Sequence, residues 1–178
     1  MTTLTKPCYG GMERLTLTRK RGVIDRMSDR AERSQRRRGM LVVNPQRCHG
    51  CQSCMVACSL LHEGQVIPSL ARLHIMLDPF QGEHQIHFCH QCGKAPCAKA
   101  CPEGAIQRDP ERGYWVVKDD LCTGCGLCVQ ACPFHALIMH PETSKALICD
   151  TCNGNPECVA SCPNGALAWS GPDGHERP

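Results

Sequence analysis

Four short stretches of this chain carry sixteen thiols: CHGCQSCMVAC (48–58), CHQCGKAPCAKAC (89–101), CTGCGLCVQAC (122–132) and CDTCNGNPECVASC (149–162). Each opens with C-x2-C and closes with C-x3-C, and only the gap between them varies, being two, four, two and five residues. Cysteines at two-residue spacing wrap a loop around a compact object, so that backbone N–H groups also point inward at sulfur. The fourth cysteine of a group, three residues on, starts a helix aimed away from that loop, where the same object is hard to reach. The run C-x2-C-x2-C-x3-C-P is the spacing by which paired iron–sulfur clusters are held, the fourth cysteine ligating the other cluster of the pair. Groups of this kind come in twos, and sixteen cysteines divide into four sets of four with none left over.

Other chemistry fits the spacing less well. Four thiolates also hold structural zinc, but zinc ribbons join two separate C-x2-C knuckles and have no use for a third and fourth cysteine so close by. Cysteines two apart on a tight loop rarely meet disulfide geometry with each other. Cys8 stands apart and reads as an ordinary free cysteine. Of the nine histidines, His49 and His90 lie nearest a group; with every ligand position filled by sulfur they read as surface or supporting residues. Gly124 and Gly126, interleaved in CTGCGLC, are expected to let the backbone approach sulfur. No P-loop or dinucleotide GxGxxG is present, and no acid–base or nucleophilic constellation marks a substrate pocket.

The elements that must position these thiols are short. Thirteen prolines and sixteen glycines among 178 residues point to tight turns, and Phe, Trp and Tyr together number only seven. Apolar burial alone would stabilise such a chain poorly, so a staple is required. The last three groups run on into CPEGAI, CPFHALI and CPNGALA, and LVV, IHF, YWVV and ALI precede the groups. AIQRDPERGYWVV reads as strand, turn and strand, with Asp-Pro and Gly113 in the turn. HIMLDPFQGEHQIHF and ALIMHPETSKALI read as two further hairpins, and the C-x3-C ends as helical turns. The fold class is therefore α+β, with no large sheet.

Charge divides the chain near Gly39–Met40. Residues 1–39 carry eleven Lys/Arg against four Asp/Glu, and residues 40–178 carry nine against thirteen. This gives a basic N-terminal extension, 1–39, and a cysteine-rich domain, 40–178. In GVIDRMSDRAERSQRRRG, Val23, Ile24, Met27 and Ala31 fall near helical spacing, a narrow apolar stripe on a partly helical basic arm. A cluster with four thiolates carries a net charge of about −2, so four of them would take the formal +3 to about −5. The arm is expected to dock on such an acidic domain, of a neighbouring copy or of a partner, and so to support self-association. Scarce aromatics and a negative loaded charge argue against a zinc-knuckle nucleic-acid protein. No stretch approaches the roughly 20 apolar residues of a membrane span, and the first 22 residues lack an apolar run of signal-peptide length. A cytoplasmic protein is expected, and in that reducing compartment clustered thiols favour metal over disulfide.

Residues 40–170 resemble a known family. Four ferredoxin-type groups, the first ending CMVACSLLHEG without proline, look like the four-cluster iron–sulfur subunits of molybdenum and tungsten oxidoreductases. The resemblance implies a ferredoxin-like fold of two pseudo-symmetric two-cluster modules, the inner at about 80–140 and the outer at about 40–79 with 141–170. It implies four [4Fe–4S] clusters, since Cys122, Cys125, Cys128 and Cys132 of the third group are all present. It also implies a nested pairing: Cys48, Cys51, Cys54 with Cys162, and Cys149, Cys152, Cys158 with Cys58. The inner sets would be Cys89, Cys92, Cys97 with Cys132, and Cys122, Cys125, Cys128 with Cys101; tandem pairing is the alternative for the outer sets. Implied partners are a catalytic molybdenum or tungsten pterin subunit, nearest in type a tungsten aldehyde oxidoreductase, and a flavin subunit reducing NAD. Carbon monoxide dehydrogenase, hydrogenase and formate dehydrogenase systems are the alternatives. The chain itself is expected to relay electrons rather than to catalyse.

Overall fold

Every apolar run ahead of a cysteine group becomes a short strand. In the computed structural model, which describes residues 39–77, 80, 84–171 and 176–177, MLVV forms β1 (Met40–Val43). A single 3-10 turn at Pro45–Arg47 follows, capped by the Asn44 side chain, whose Oδ1 accepts the Gln46 N–H at 3.2 Å. The helix α1 (Ser53–Glu63) carries Cys54 and Cys58 on its buried side. Gly64 ends it: its φ of 69° is a left-handed cap, and its N–H donates to the Leu60 carbonyl at 3.1 Å.

The rest of the chain alternates hairpins with single helical turns. In order they are β2 (Leu73–Met76), β3 (Gln85–Phe88), α2 (Pro96–Lys99), β4 (Ile106–Arg108), β5 (Trp115–Val117), α3 (Leu127–Gln130), β6 (Ile138–Met139), β7 (Ala146–Leu147), α4 (Glu157–Ala160), β8 (Leu167–Ser170) and β9 (Glu176–Arg177). The three hairpins read from sequence are all present, as β2–β3, β4–β5 and β6–β7. In the middle one Asp109 builds the turn, its Oδ1 accepting the N–H groups of Glu111 (3.0 Å) and Arg112 (2.8 Å). Gly113, at φ 74°, then lets the chain return.

The only sheet of three strands among the described residues, in the order β1-β8-β9, joins the run before the first cysteine group to the run after the last. Leu41 faces Trp169 and Val43 faces Leu167 in antiparallel register. Trp169 is 2 % exposed, and the space beside its ring belongs to Gly39, where a Cβ would lie 2.2 Å from the indole Cζ2.

Two apolar clusters result. The first packs Leu41, Met55, Leu73, Phe88, Tyr114 and Trp169 with Cys54, Cys58 and Cys158. The second packs Ile106, Leu137, Ala146 and Ile148 with Cys97, Cys128 and Cys132. Thiols thus occupy core positions that aromatic side chains fill elsewhere. Small helices and hairpins make a ferredoxin-like α+β arrangement. No helix of the described residues is long and apolar enough to cross a membrane. The basic arm and Cys8 lie outside the described residues.

Candidate metal centres

Cys48, Cys51, Cys54 and Cys162 line one recess, walled by Ile75, Ile86 and Leu167. The first three come from the loop and helix after β1, and Cys162 comes from the turn after α4. Cys58, Cys149, Cys152 and Cys158 line a second recess, against Leu41, Leu73, Trp169 and His62. In the inner half the thiols of Cys89 and Cys97 both sense Cys92 and Cys132. Cys128 senses Cys122 and Cys101, and Cys125 is exposed on the loop between Cys122 and Cys128.

Local backbone geometry aims the sulfurs. Gln52, Gln91, Gly124, Gly126, Cys152 and Asn153 all have positive φ, the left-handed backbone that turns a loop sharply within the cysteine groups. At Gly124, expected to let backbone approach sulfur, the space of the missing side chain is taken by the Ser144 carbonyl, 2.7 Å from where a Cβ would lie. Backbone N–H groups donate to sulfur at Cys58 (from Arg72, 3.2 Å), Cys89 (from Gln91, 3.4 Å), Cys101 (from Ala105, 3.3 Å) and Cys162 (from Ala166, 3.3 Å). The last two sit in matching CPEGA and CPNGA turns. Hydrogen bonds of this type stabilise the more negative state of a thiolate-bound cluster and raise its potential.

Burial dominates the thiol acidities. It pushes Cys54 up to about 12, with Cys162, Cys51 and Cys48 adding to the rise. Cys89 is also raised to about 12 by burial, and Cys149 lies well above its ordinary value for the same reason. Cys51 is the exception, lowered by hydrogen bonding with Ser53. A protonated thiol is no ligand, so a metal must displace these protons as it binds. The two outer sets of four sulfurs, in mostly apolar recesses with backbone N–H donors to Cys58 and Cys162, fit a [4Fe–4S] cube bound by four thiolates.

Three residues that sequence reading did not single out support the second recess. Arg72 donates its backbone N–H to Cys58 Sγ, and its guanidinium meets Asp150 Oδ2 at 3.2 Å. Asp150 in turn accepts the Cys152 N–H at 3.0 Å, and the Arg72 charge draws down the Cys58 and Cys152 thiols against their burial. His62 Nε2 lies 3.7 Å from Cys152 Sγ and 3.6 Å from Asp150 Oδ1. His62 was legible in principle: it follows Cys58 by four residues, one turn along the same helix face. Arg72 and Asp150 meet across 78 residues and give no such local signal.

The recesses also adjoin. Cys54 of the first is among the thiols that raise Cys158 of the second, and Cys89 of the inner half is among those that raise Cys149. In the inner half α2, carrying Cys97, packs on α3, carrying Cys128.

Comparison with known proteins agrees with this chemistry. Residues 82–171 match a family model described as a 4Fe-4S dicluster domain, and residues 45–60 match a 4Fe-4S binding domain. The aliphatic sulfonate oxidoreductase polyferredoxin-like subunit of Pyrococcus furiosus is 39% identical over 122 residues, covering 68% of this chain and 70% of that one. The thiosulfate reductase electron transfer subunit PhsB of Salmonella typhi is 36% identical, covering 73% and 74%. Protein NrfC of Escherichia coli K12 is 37% identical, covering 71% of this chain and 62% of its own length.

Proposed function

The chain belongs to the 4Fe-4S dicluster family, as an iron–sulfur electron-transfer subunit of oxidoreductase complexes, and on that premise we propose that it holds four [4Fe–4S] clusters in one linear relay. The holding sets are Cys48, Cys51, Cys54 and Cys162; Cys58, Cys149, Cys152 and Cys158; Cys89, Cys92, Cys97 and Cys132; and Cys101, Cys122, Cys125 and Cys128. Each cluster supplies a one-electron couple when bound. The shared electrostatics of Cys54 with Cys158, and of Cys149 with Cys89, support the order in which the sets are named here. Exposed cysteines support it as well: of the sixteen, only Cys51 and Cys125 are exposed, and they belong to the first and last sets. This is the observation that carries the reading, because electrons must enter and leave at the ends of a wire while its middle stays dry.

The chain's own residues would do three things in such a relay. Apolar walls at Ile75, Ile86, Leu73 and Trp169 exclude water from the outer sets. Backbone donors on Cys58, Cys89, Cys101 and Cys162 set potentials, and Arg72 with Asp150 fixes the loop bearing Cys152.

The partner we propose is a molybdenum or tungsten pterin oxidoreductase, an aldehyde oxidoreductase in the first instance, with a flavin subunit reducing NAD as acceptor. The family resemblance supports this, and similarity to the polyferredoxin-like subunit of an aliphatic sulfonate oxidoreductase adds alkyl sulfonates as substrates to test. Affinity purification through this subunit, with metal analysis of the complex and assays on aldehydes and alkyl sulfonates, tests it. Tungsten or molybdenum in the complex supports the proposal, and nickel assigns the chain to a carbon monoxide dehydrogenase or hydrogenase instead. We further propose that residues 1–38 join copies or partners through their positive charge; deleting them should shift the assembly to smaller mass in size-exclusion chromatography, and an unchanged mass refutes this.

A further inference from the structure

One amide links the outer half of the cysteine array to the inner half. Gln91 lies inside the C-x2-C of the second group, its backbone held at φ 50° and its N–H donating to Cys89 Sγ at 3.4 Å. Its side chain reaches in two directions. Oε1 accepts the Trp115 N–H at 2.5 Å, while Nε2 donates to the Trp115 carbonyl at 3.3 Å and to the Cys149 carbonyl at 2.6 Å. Both amide protons and the amide oxygen are therefore engaged. Cys149 lines the second recess of the outer half, and Cys89 belongs to the inner half.

The anchor for this amide is itself fixed. Trp115 donates its indole N–H to the Cys92 carbonyl at 2.9 Å, and the Arg108 guanidinium covers its ring 4.7 Å from the centroid. Gln91 thus ties the backbone of an outer ligand, Cys149, to a strand that is already tied to an inner ligand loop. The junction it spans is the one where the Cys89 thiol acts on Cys149.

We propose that Gln91 is a positioning residue that sets the spacing between the second and third sets of cysteines, and with it the rate of electron passage from one half of the relay to the other. This rests on the four-cluster reading above. Passage between redox centres falls exponentially with distance, so a small relaxation of the Cys149 loop slows the central step while leaving the end steps alone. A donor is needed at the Cys149 carbonyl, and a carboxylate cannot serve. Gln91→Glu keeps an acceptor for the Trp115 N–H but loses the donor to the Cys149 and Trp115 carbonyls, and so breaks the link across the junction.

The test uses anaerobically prepared holoprotein, wild type and Gln91→Glu, with Gln107→Glu as a control that makes the same change at an amide inside the inner half, where Nε2 donates to the Gly104 carbonyl at 3.0 Å. Iron and acid-labile sulfide per chain report whether the clusters are present. The EPR spectrum of the fully reduced protein reports magnetic coupling between neighbouring clusters, and electron equilibration between the halves after a radiolytic pulse reports the central step. The expected result is full iron in all three proteins, with the inter-half coupling weakened and equilibration slowed on the order of tenfold in Gln91→Glu only. Full iron with coupling and equilibration unchanged in Gln91→Glu overturns the proposal and leaves the four-cluster reading intact. Iron lost from Gln91→Glu alone also overturns it, since the amide would then hold a cluster rather than a spacing. Wild-type protein without clusters overturns the four-cluster reading itself.

Discussion

Cys54 and Cys162 share one recess, although the first stands in the helix after the opening strand and the second in the turn before the closing one. The antiparallel pairing of β1 with β8 brings them together, through Leu41 opposite Trp169. Sulfur from both ends of the cysteine-rich region therefore lines one recess, the arrangement that the proposed nested pairing needs.

Serine substitutions test this directly. Cys162→Ser should alter one cluster with Cys48, Cys51 and Cys54 as its remaining ligands, lowering iron by up to about four atoms per chain or leaving a three-iron remnant. Cys58→Ser should disturb a different outer cluster. EPR spectra of the two variants should each lack one signal, not the same one, and the inner signals should persist in both.

Much of the architecture was legible in the residues. Asp109 and Gly113 announced the β4–β5 turn, and in β2 the alternating residues Leu73 and Ile75 face a core while Met76 lies exposed. The helical C-x3-C ends followed from spacing. What sequence could not supply was contact across the chain. Arg72 with Asp150, and Gln91 with Cys149, are bonds between residues with no shared periodicity, and they exist only once the hairpins have folded back. Gly124 was recognisable as special, but that the Ser144 carbonyl claims its space depends on where the β6–β7 turn lands.

Arg72→Ala should destabilise the second recess. The pair with Asp150 is about one-fifth exposed on each side, and its loss leaves a half-buried carboxylate facing Cys152 without its cation. A cost of about 1–2 kcal/mol is expected, seen as a lower midpoint in thermal or urea unfolding of the holoprotein. One cluster potential should also fall, because a positive charge has been withdrawn from it; redox titration followed by EPR would detect the shift.

Gly39→Ala forces a methyl group against the Trp169 ring and within 2.8 Å of the Ser170 carbonyl. Overpacking at a buried indole should cost about 1–3 kcal/mol. The effect should appear in unfolding midpoints and not in the cluster signals of the inner half.

Acid should weaken the fold through its histidines. Burial, and then the neighbouring charge of His87 across the β2–β3 pair, holds His74 below its ordinary 6.5, and its Nε2 is buried without a partner. The unfolded chain therefore takes up a proton at higher pH than the folded one. Stability is intact above 6.5 and is lost as the pH falls below it. His62 and His90 are lowered too, chiefly by burial, so His74→Leu should reduce the slope of stability against pH below 6.5 without abolishing it. Chemical denaturation across that range measures the slope.

The most direct measurement is the count of iron and acid-labile sulfide in anaerobically purified full-length protein, combined with Mössbauer spectroscopy of the iron. Four cubes predict about sixteen of each per chain, all iron in tetrahedral sulfur sites of cubane type. Zinc in place of iron, or fully reconstituted protein saturating at about eight irons, would contradict the account.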